Sequence, residues 1–252
     1  MTRYVLVVGA QRCATTYLYE LLDEHPEIAM AKPARPEPKF FLDAEKCRRG
    51  LTWYETTYFA DAEAVPVHGE KSTSYMESPE AASRAAGMIP DADVLVMLRD
   101  PIDRAISNWR FSTASGLEAR PLERALTDNL DGPEPWDRSQ TSVSPFAYLE
   151  RGKYIDFLAP WERSFPHRLH VLFVDELAGD SDAVARAYKA INVDSSFSPP
   201  SLSSSVNASE PPAVGIDPSL ARRLRGYFQE SDDRLRDHLG RELPWRHRED
   251  GG

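Results

Sequence analysis

Apolar positions along this chain fall in short continuous runs that alternate with stretches of helical spacing. Tyr4 to Val8 is apolar on both faces, the pattern of a strand covered on two sides. A glycine, Gly9, and a polar turn follow. Leu18, Leu21 and Leu22 then recur at helical spacing in a segment that starts at Thr15 and ends before His25-Pro26. Three further runs read as strands: Val65 to Gly69, Val94 to Leu98 and Leu169 to Val174. Between them the spacing predicts helices over 51–59, 80–88, 101–112, 120–129, 150–164, 182–191 and 220–239. Asp100-Pro101 is a strong start signal, a capping carboxylate followed by proline at the first helical position. Residues 113–145, apart from the helix within them, and the Ser/Pro-rich residues 195–218 lack periodicity and are predicted to be mobile loops. The second of these is a lid or a connector, and composition favours the connector.

Strands alternating with helices predict an α/β fold: one domain over residues 1–252, a phosphate-loop-like parallel sheet with helices on both faces. In such sheets ligands collect beyond the carboxyl ends of the strands. Four groups fall there: Gly9 to Thr16, Glu70-Lys71-Ser72, Arg99-Asp100 and Asp175-Glu176. Three of the four carry a basic residue, which points to a ligand with more than one phosphate.

The first strand–turn–helix is the strongest local feature. A glycine turn running into a helix delivers free N–H groups and the positive end of the helix dipole to one point, an anion site. The ordinary nucleoside-triphosphate loop reads G-x-x-x-x-G-K-[ST]. Here Gly9 is followed by Ala10-Gln11-Arg12-Cys13-Ala14-Thr15-Thr16, with Thr15 where that loop has lysine. Such a loop suits one phosphate better than ATP; a plain βα turn is the alternative.

Charge narrows the classes. The chain has 252 residues and a formal net charge of −10, which argues against sequence-independent nucleic-acid binding. An anionic ligand must therefore be held by a local basic pocket against the overall field. The two cysteines, Cys13 and Cys47, have no metal-ligand spacing and read as free thiols. Cys13 is a small loop residue rather than a nucleophile, since no histidine lies near it in sequence. No leader-like segment and no long apolar run occurs, so the expectation is a cytoplasmic protein without a membrane partner.

Several side chains carry candidate chemistry, each beside a plainer role. Arg99 and Ser107, two helical turns apart, fit a second anion, or Arg99 pairs with Asp100 or Asp103. Glu37 sits in Pro36-Glu37-Pro38, a frame that lowers the entropy cost of fixing a carboxylate as a general base; otherwise it is a solvated loop acid. Lys39 and Lys71 meet developing negative charge or are surface lysines. His68 is a rival base or a packed strand histidine.

Together these residues resemble a family. Val8 to Thr16 is similar to the 5′-phosphosulfate loop of sulfotransferases that use 3′-phosphoadenylyl sulfate (PAPS). Val96 to Ser107 resembles their 3′-phosphate segment. Pro36-Glu37-Pro38-Lys39-Phe40-Phe41 and Gly69-Glu70-Lys71-Ser72 resemble the heparan-sulfate-type branch, and Gly152-Lys153-Tyr154 through Trp161 and Gly240 to Trp245 are similar to the superfamily as a whole. The resemblance covers about residues 4–245.

It implies that Gln11, Arg12, Cys13, Ala14, Thr15 and Thr16 hold the 5′-phosphate and that Arg99 and Ser107 hold the 3′-phosphate. Glu37 would deprotonate the acceptor hydroxyl, with Arg12 and Lys71 at the sulfuryl and leaving groups. Lys39 and His68 are weaker candidates for the acceptor side. The implied reaction moves a sulfuryl group from PAPS to a hydroxyl (an amine is the lesser option) of a small molecule or carbohydrate. PAP is the product and no metal takes part, and secondary metabolism is the expected setting. A phosphate-loop kinase and a non-catalytic nucleotide-binding module are the competing classes. The sequence departs from the family at Ala14, where glycine is usual, and at Pro36, where lysine commonly stands. It also lacks the late Lys-Gly-Arg segment, whose place is taken by the stretch around Val206-Asn207-Ala208-Ser209, a candidate lid.

Overall fold

The computed structural model describes residues 2–62, 64–137, 143–203 and 215–245. Along the chain run β1 (Arg3–Gly9), α1 (Thr15–Asp23), β2 (Ile28–Met30), α2 (Ala44–Arg48), α3 (Gly50–Tyr58), β3 (Val67–Lys71), α4 (Pro79–Met88) and β4 (Asp93–Leu98). Then come α5 (Pro101–Ala114), α6 (Leu122–Asn129), α7 (Ile155–Ser164), β5 (Leu169–Phe173), α8 (Val174–Leu177), α9 (Ser181–Ala190) and α10 (Pro218–Leu239). Single 3-10 turns lie at Phe40–Leu42, Glu150–Gly152 and Pro200–Ser203. The chain divides into two compact units, residues 1–98 with 157–208 and residues 99–156 with 209–252.

The first unit holds the sheet. Its order is β2-β3-β1-β4-β5 and every pairing is parallel, so the carboxyl ends of the strands share one edge. After Arg3 and Asp93 at their starts, the central strands β1 and β4 are apolar, the pattern of strands buried on both faces. Val5 to Val8 and Val94 to Leu98 are essentially without solvent contact. The α/β parallel architecture is as expected, but the sheet has a fifth strand. Residues 28–30 form β2, an edge strand held to β3, and just beyond it the Ala31 amide donates to the Gly69 carbonyl at 2.7 Å. The third strand also runs two residues further than its pattern indicated, taking in Glu70 and Lys71.

In the second unit Ile102, Ala105 and Ile106 of α5 pack with Leu122 and Leu126 of α6, with Tyr148 and Leu149, and with Leu220, Leu224 and Phe228 of α10. Asp100 caps α5, accepting from the Ile102 amide at 2.9 Å, with Pro101 at the first position. Gly240, in the left-handed region, ends α10. The helix expected over 150–164 is instead a 3-10 turn followed by α7. Among the described residues no helix is long and apolar enough to cross a membrane.

Candidate active site

In the first unit, the chain leaves β1 at Gly9 and enters α1 at Thr15. A Cβ on Gly9 would lie 2.7 Å from that of Met76, so glycine is required by packing as well as by the turn. Ala10 donates to the Met97 carbonyl at 2.9 Å, which ties the start of the loop to β4. Arg12 and Ala14 both take the left-handed conformation, φ 68° and 50°. Left-handed residues within a turn aim successive amides into one concavity. Ala14 is the cap residue of α1 and supplies no side-chain bond; the Tyr17 and Leu18 amides turn back to its carbonyl, and the amides of Thr15 and Thr16 precede the first internal bond of the helix. The positive end of the dipole therefore faces the loop, with Thr15 buried beneath it and Thr16 partly exposed. The Thr16 hydroxyl accepts from Arg35 at 3.3 Å. Arg35 was not singled out from sequence, although it stands in the same proline-dense segment as Glu37.

Glu37 is not a solvated loop acid. Its Oε1 lies 2.8 Å from Nζ of Lys71, with side chains only 16% and 6% exposed. Its Oε2 accepts from the Thr73 amide at 3.0 Å, and the Thr73 hydroxyl lies 3.1 and 3.2 Å from the two oxygens. Lys46 donates to the Pro38 carbonyl at 3.1 Å, fixing the segment just beyond. Residues 72–76 carry this arrangement along the end of β1: Ser72 donates to the Val7 carbonyl and Met76 to that of Val8. Thr73 was another residue missed. Its signal is the hydroxyl-rich run Ser72-Thr73-Ser74-Tyr75 that follows the strand.

Lys39 takes the left-handed conformation and donates its amide to the Ser72 hydroxyl at 2.9 Å. Phe40 and Phe41 are fully buried against Tyr54. Glu70, between Gly69 and Lys71, is also buried. Burial pushes its carboxyl up, hydroxyl bonds from Ser72, Tyr75 and Tyr54 oppose this, and the nearby Glu37 charge adds to the rise.

His68 is not brought to Glu37. It lies three residues before Lys71, roughly 10 Å along the strand, and side chains alternate, so it points to the opposite face. There its ring stacks on Phe59 and its Nδ1 lies 2.8 Å from Glu55. Burial raises the Glu55 carboxyl, but the bonds from His68 and Tyr4 outweigh it and leave the group below the usual range.

In the second unit, Arg99 immediately precedes the cap of α5 and its carbonyl accepts from the Tyr154 hydroxyl at 2.9 Å. Asp100 is gripped by Arg225 through two bonds of 2.8 and 2.5 Å. Asp103 lies 4.0 Å from Arg99, a loose contact. Ser107 is buried two turns into α5. The candidate lid at Val206-Asn207-Ala208-Ser209 lies outside the described residues.

A glycine turn feeding an uncapped helix at the carboxyl edge of a parallel sheet defines a protein of phosphate-loop-like α/β fold with an anion-binding loop. A profile of the sulfotransferase domain matches residues 2–186. The chain belongs to the sulfotransferase family and is a sulfuryl-transferring enzyme, which removes the kinase and non-catalytic alternatives. It is 29% identical over 266 residues to human heparan sulfate glucosamine 3-O-sulfotransferase 6, covering 95% of this chain and 72% of that protein. It is 34% identical over 170 residues to the mouse protein of the same name, covering 67% of this chain and 45% of the relative. The mouse 3A1 relative is 27% identical, with 63% of its length spanned. The chain thus spans from under half to about seven-tenths of these relatives. A sulfotransferase from Alicyclobacillus acidocaldarius has the same fold, with TM-score 0.75 at 23% identity, over 96% of this chain and 97% of that one.

Proposed function

We propose that this enzyme transfers the sulfuryl group of PAPS to a carbohydrate hydroxyl, with Glu37 as general base. The observation that carries this is the Glu37 carboxylate, held by Lys71 and Thr73 in the unit that also contains the loop at the start of α1. The heparan sulfate sulfotransferases similar to this chain support a carbohydrate acceptor.

In this proposal the acceptor O–H gives its proton to Glu37 as its oxygen attacks sulfur. The new O–S bond forms opposite the breaking S–O bond, and PAP leaves with the electron pair. Charge accumulates on the 5′-phosphate oxygens, where amides of Gln11 to Thr16, the Arg12 side chain and the helix dipole stabilise it. Lys71 moves from Glu37 toward the sulfuryl oxygens as acceptor and donor close in, which releases the base. Arg99 and Ser107 hold the 3′-phosphate, and Lys39 meets the acceptor. In this proposal residues 1–252 make up one sulfotransferase domain, and we assign no step to a metal.

The test is transfer of label from [35S]PAPS to heparan sulfate, to its desulfated form and to a panel of simple glycosides. Label on a sugar hydroxyl supports the proposal. Label only on non-sugar acceptors, or release of free sulfate with every one of these acceptors, overturns it.

A further inference from the structure

Buried in the first unit is a carboxylate that the mechanism above does not use. Glu70 is 1% exposed and has no cationic partner among its hydrogen bonds. It accepts instead from three hydroxyls: Ser72 at 2.6 Å and Tyr75 at 2.5 Å on Oε1, and Tyr54 at 2.8 Å on Oε2. Two of these hydroxyls are themselves acceptors. The Lys39 amide donates to Ser72 Oγ at 2.9 Å, and the Phe41 amide donates to Tyr75 Oη at 2.9 Å.

The direction of every bond in this network is forced. An amide can only donate, so Ser72 and Tyr75 receive from Lys39 and Phe41, and each hydroxyl has one proton left to give. Both give it to Oε1 of Glu70, which has the lone pairs to take two. A carboxylate is one of the few side-chain ends that accepts twice at one atom and once at the other. The outcome is two relays, Lys39 N–H to Ser72 to Glu70, and Phe41 N–H to Tyr75 to Glu70. They clamp the backbone two and four residues beyond Glu37. On the other side of Glu37, the residue after Glu70 is Lys71, which holds the Glu37 carboxylate directly.

We propose that Glu70 is a positioning residue for the catalytic base: through Ser72 and Tyr75 it locks residues 39–41, and so sets where the Glu37 carboxylate meets the acceptor hydroxyl. This rests on Glu37 being the base. A base misplaced by an ångström loses much of its effect, and a proline-framed segment pinned on one flank only would swing about the other. Burial makes the lock stiff, because in a site without water neither relay has an alternative partner.

The test uses Tyr75→Phe and Ser72→Ala, each of which removes one relay and leaves Glu70 in place, together with Glu70→Gln. The amide oxygen of glutamine accepts both Oε1 bonds while its NH2 donates to the Tyr54 hydroxyl, so the relays survive. Two readouts are taken. In hydrogen exchange, Tyr75→Phe should raise exchange at Phe41 and Ser72→Ala at Lys39, each by tenfold or more, with Glu70→Gln close to wild type. In kinetics with PAPS, both relay variants should lose tenfold or more in kcat with KM for PAPS and PAP affinity within about twofold, and Glu70→Gln should stay within about threefold of wild type.

Unchanged protection at Lys39 and Phe41 in the relay variants overturns the proposal. So does raised exchange with kcat intact, which would make the network a merely structural one. Wild-type turnover that survives Glu37→Gln refutes Glu37 as base instead, whatever the exchange shows, so the two failures are distinguishable.

Discussion

Lys71 Nζ sits 2.8 Å from Glu37 Oε1, and the two side chains are nearly closed to solvent. A charged hydrogen bond in this setting holds the carboxylate in one place. Glu37→Gln keeps the shape and removes the proton acceptor. Turnover should fall by ~10²–10⁴, the usual contribution of a general base, while PAP affinity is nearly unchanged. His68→Gln, on the other face of β3, should leave turnover within about threefold. Steady-state kinetics and PAP titration on both variants check this, and the reverse pattern would make His68 the base.

PAP or PAPS should raise the melting temperature, and ATP with Mg²⁺ should not. The loop has Thr15 where a nucleoside-triphosphate loop carries its lysine. At a ligand concentration ~100 times the dissociation constant, the added stability is about 2.7 kcal/mol. Thermal scans with each nucleotide decide it; equal shifts with ATP and Mg²⁺ would count against the assignment.

Arg99→Ala should weaken PAP binding by ~1.5–3 kcal/mol, the range for a lost charged hydrogen bond. The effect should be much smaller on adenosine 5′-phosphosulfate, which has no 3′-phosphate. Asp100 is already gripped by Arg225, so the cap of α5 survives the change. Calorimetric titration of both ligands is the measurement. An equal loss for the two would place Arg99 elsewhere than at the 3′-phosphate.

Ala14→Gly should stabilise the protein. Ala14 has φ 50°, a conformation that costs a non-glycine residue ~1–2 kcal/mol. The extra freedom of glycine in the unfolded chain takes back ~0.4–1 kcal/mol. The net gain is up to about 1.6 kcal/mol, read from the denaturant midpoint at constant slope. A loss of stability would mean that the Ala14 methyl makes contacts worth more than the strain.

Acid should expose the Glu118 network of the second unit. Burial pushes the Glu118 carboxyl up, but bonds from Arg120 and Tyr148 outweigh it and bring the group down to about 2. A depressed carboxylate contributes stability that is present above its unfolded value, ~4.3, and is lost as pH falls through that value towards 2. The contribution at neutral pH is on the order of 2 kcal/mol, with Arg120 partly exposed and screened. The melting temperature of Glu118→Gln should therefore lie below wild type at pH 7, with the gap narrowing between pH 5 and pH 3. A gap independent of pH would rule out the ion pair as its source.

The first strand, the glycine turn and the start of α1 were legible in the sequence because their determinants are local. Apolar residues run unbroken, Gly9 breaks them, and helical spacing resumes within a few residues. Asp100-Pro101 announced α5 in the same way, since a cap and its amides are neighbours in the chain. The residue types at the carboxyl edge of the sheet were also visible, because each strand end is marked by the loss of its apolar run.

What the sequence could not hold was any relationship that exists only across space. Strand β2 is three residues long, too short to show a period, and exists because β3 offers it an edge. Whether Glu37 is a solvated acid or a held base depends on Lys71 and Thr73, more than thirty residues away. His68 and Lys71 look equally available in the string, and only the alternation of a paired strand sends them to opposite faces. Glu70 reads as one more polar residue before a lysine. Its burial under Tyr54 and Tyr75, and its hold on the amides of Lys39 and Phe41, arise from packing among distant segments, where a single short side chain has to satisfy every donor that the fold has removed from water.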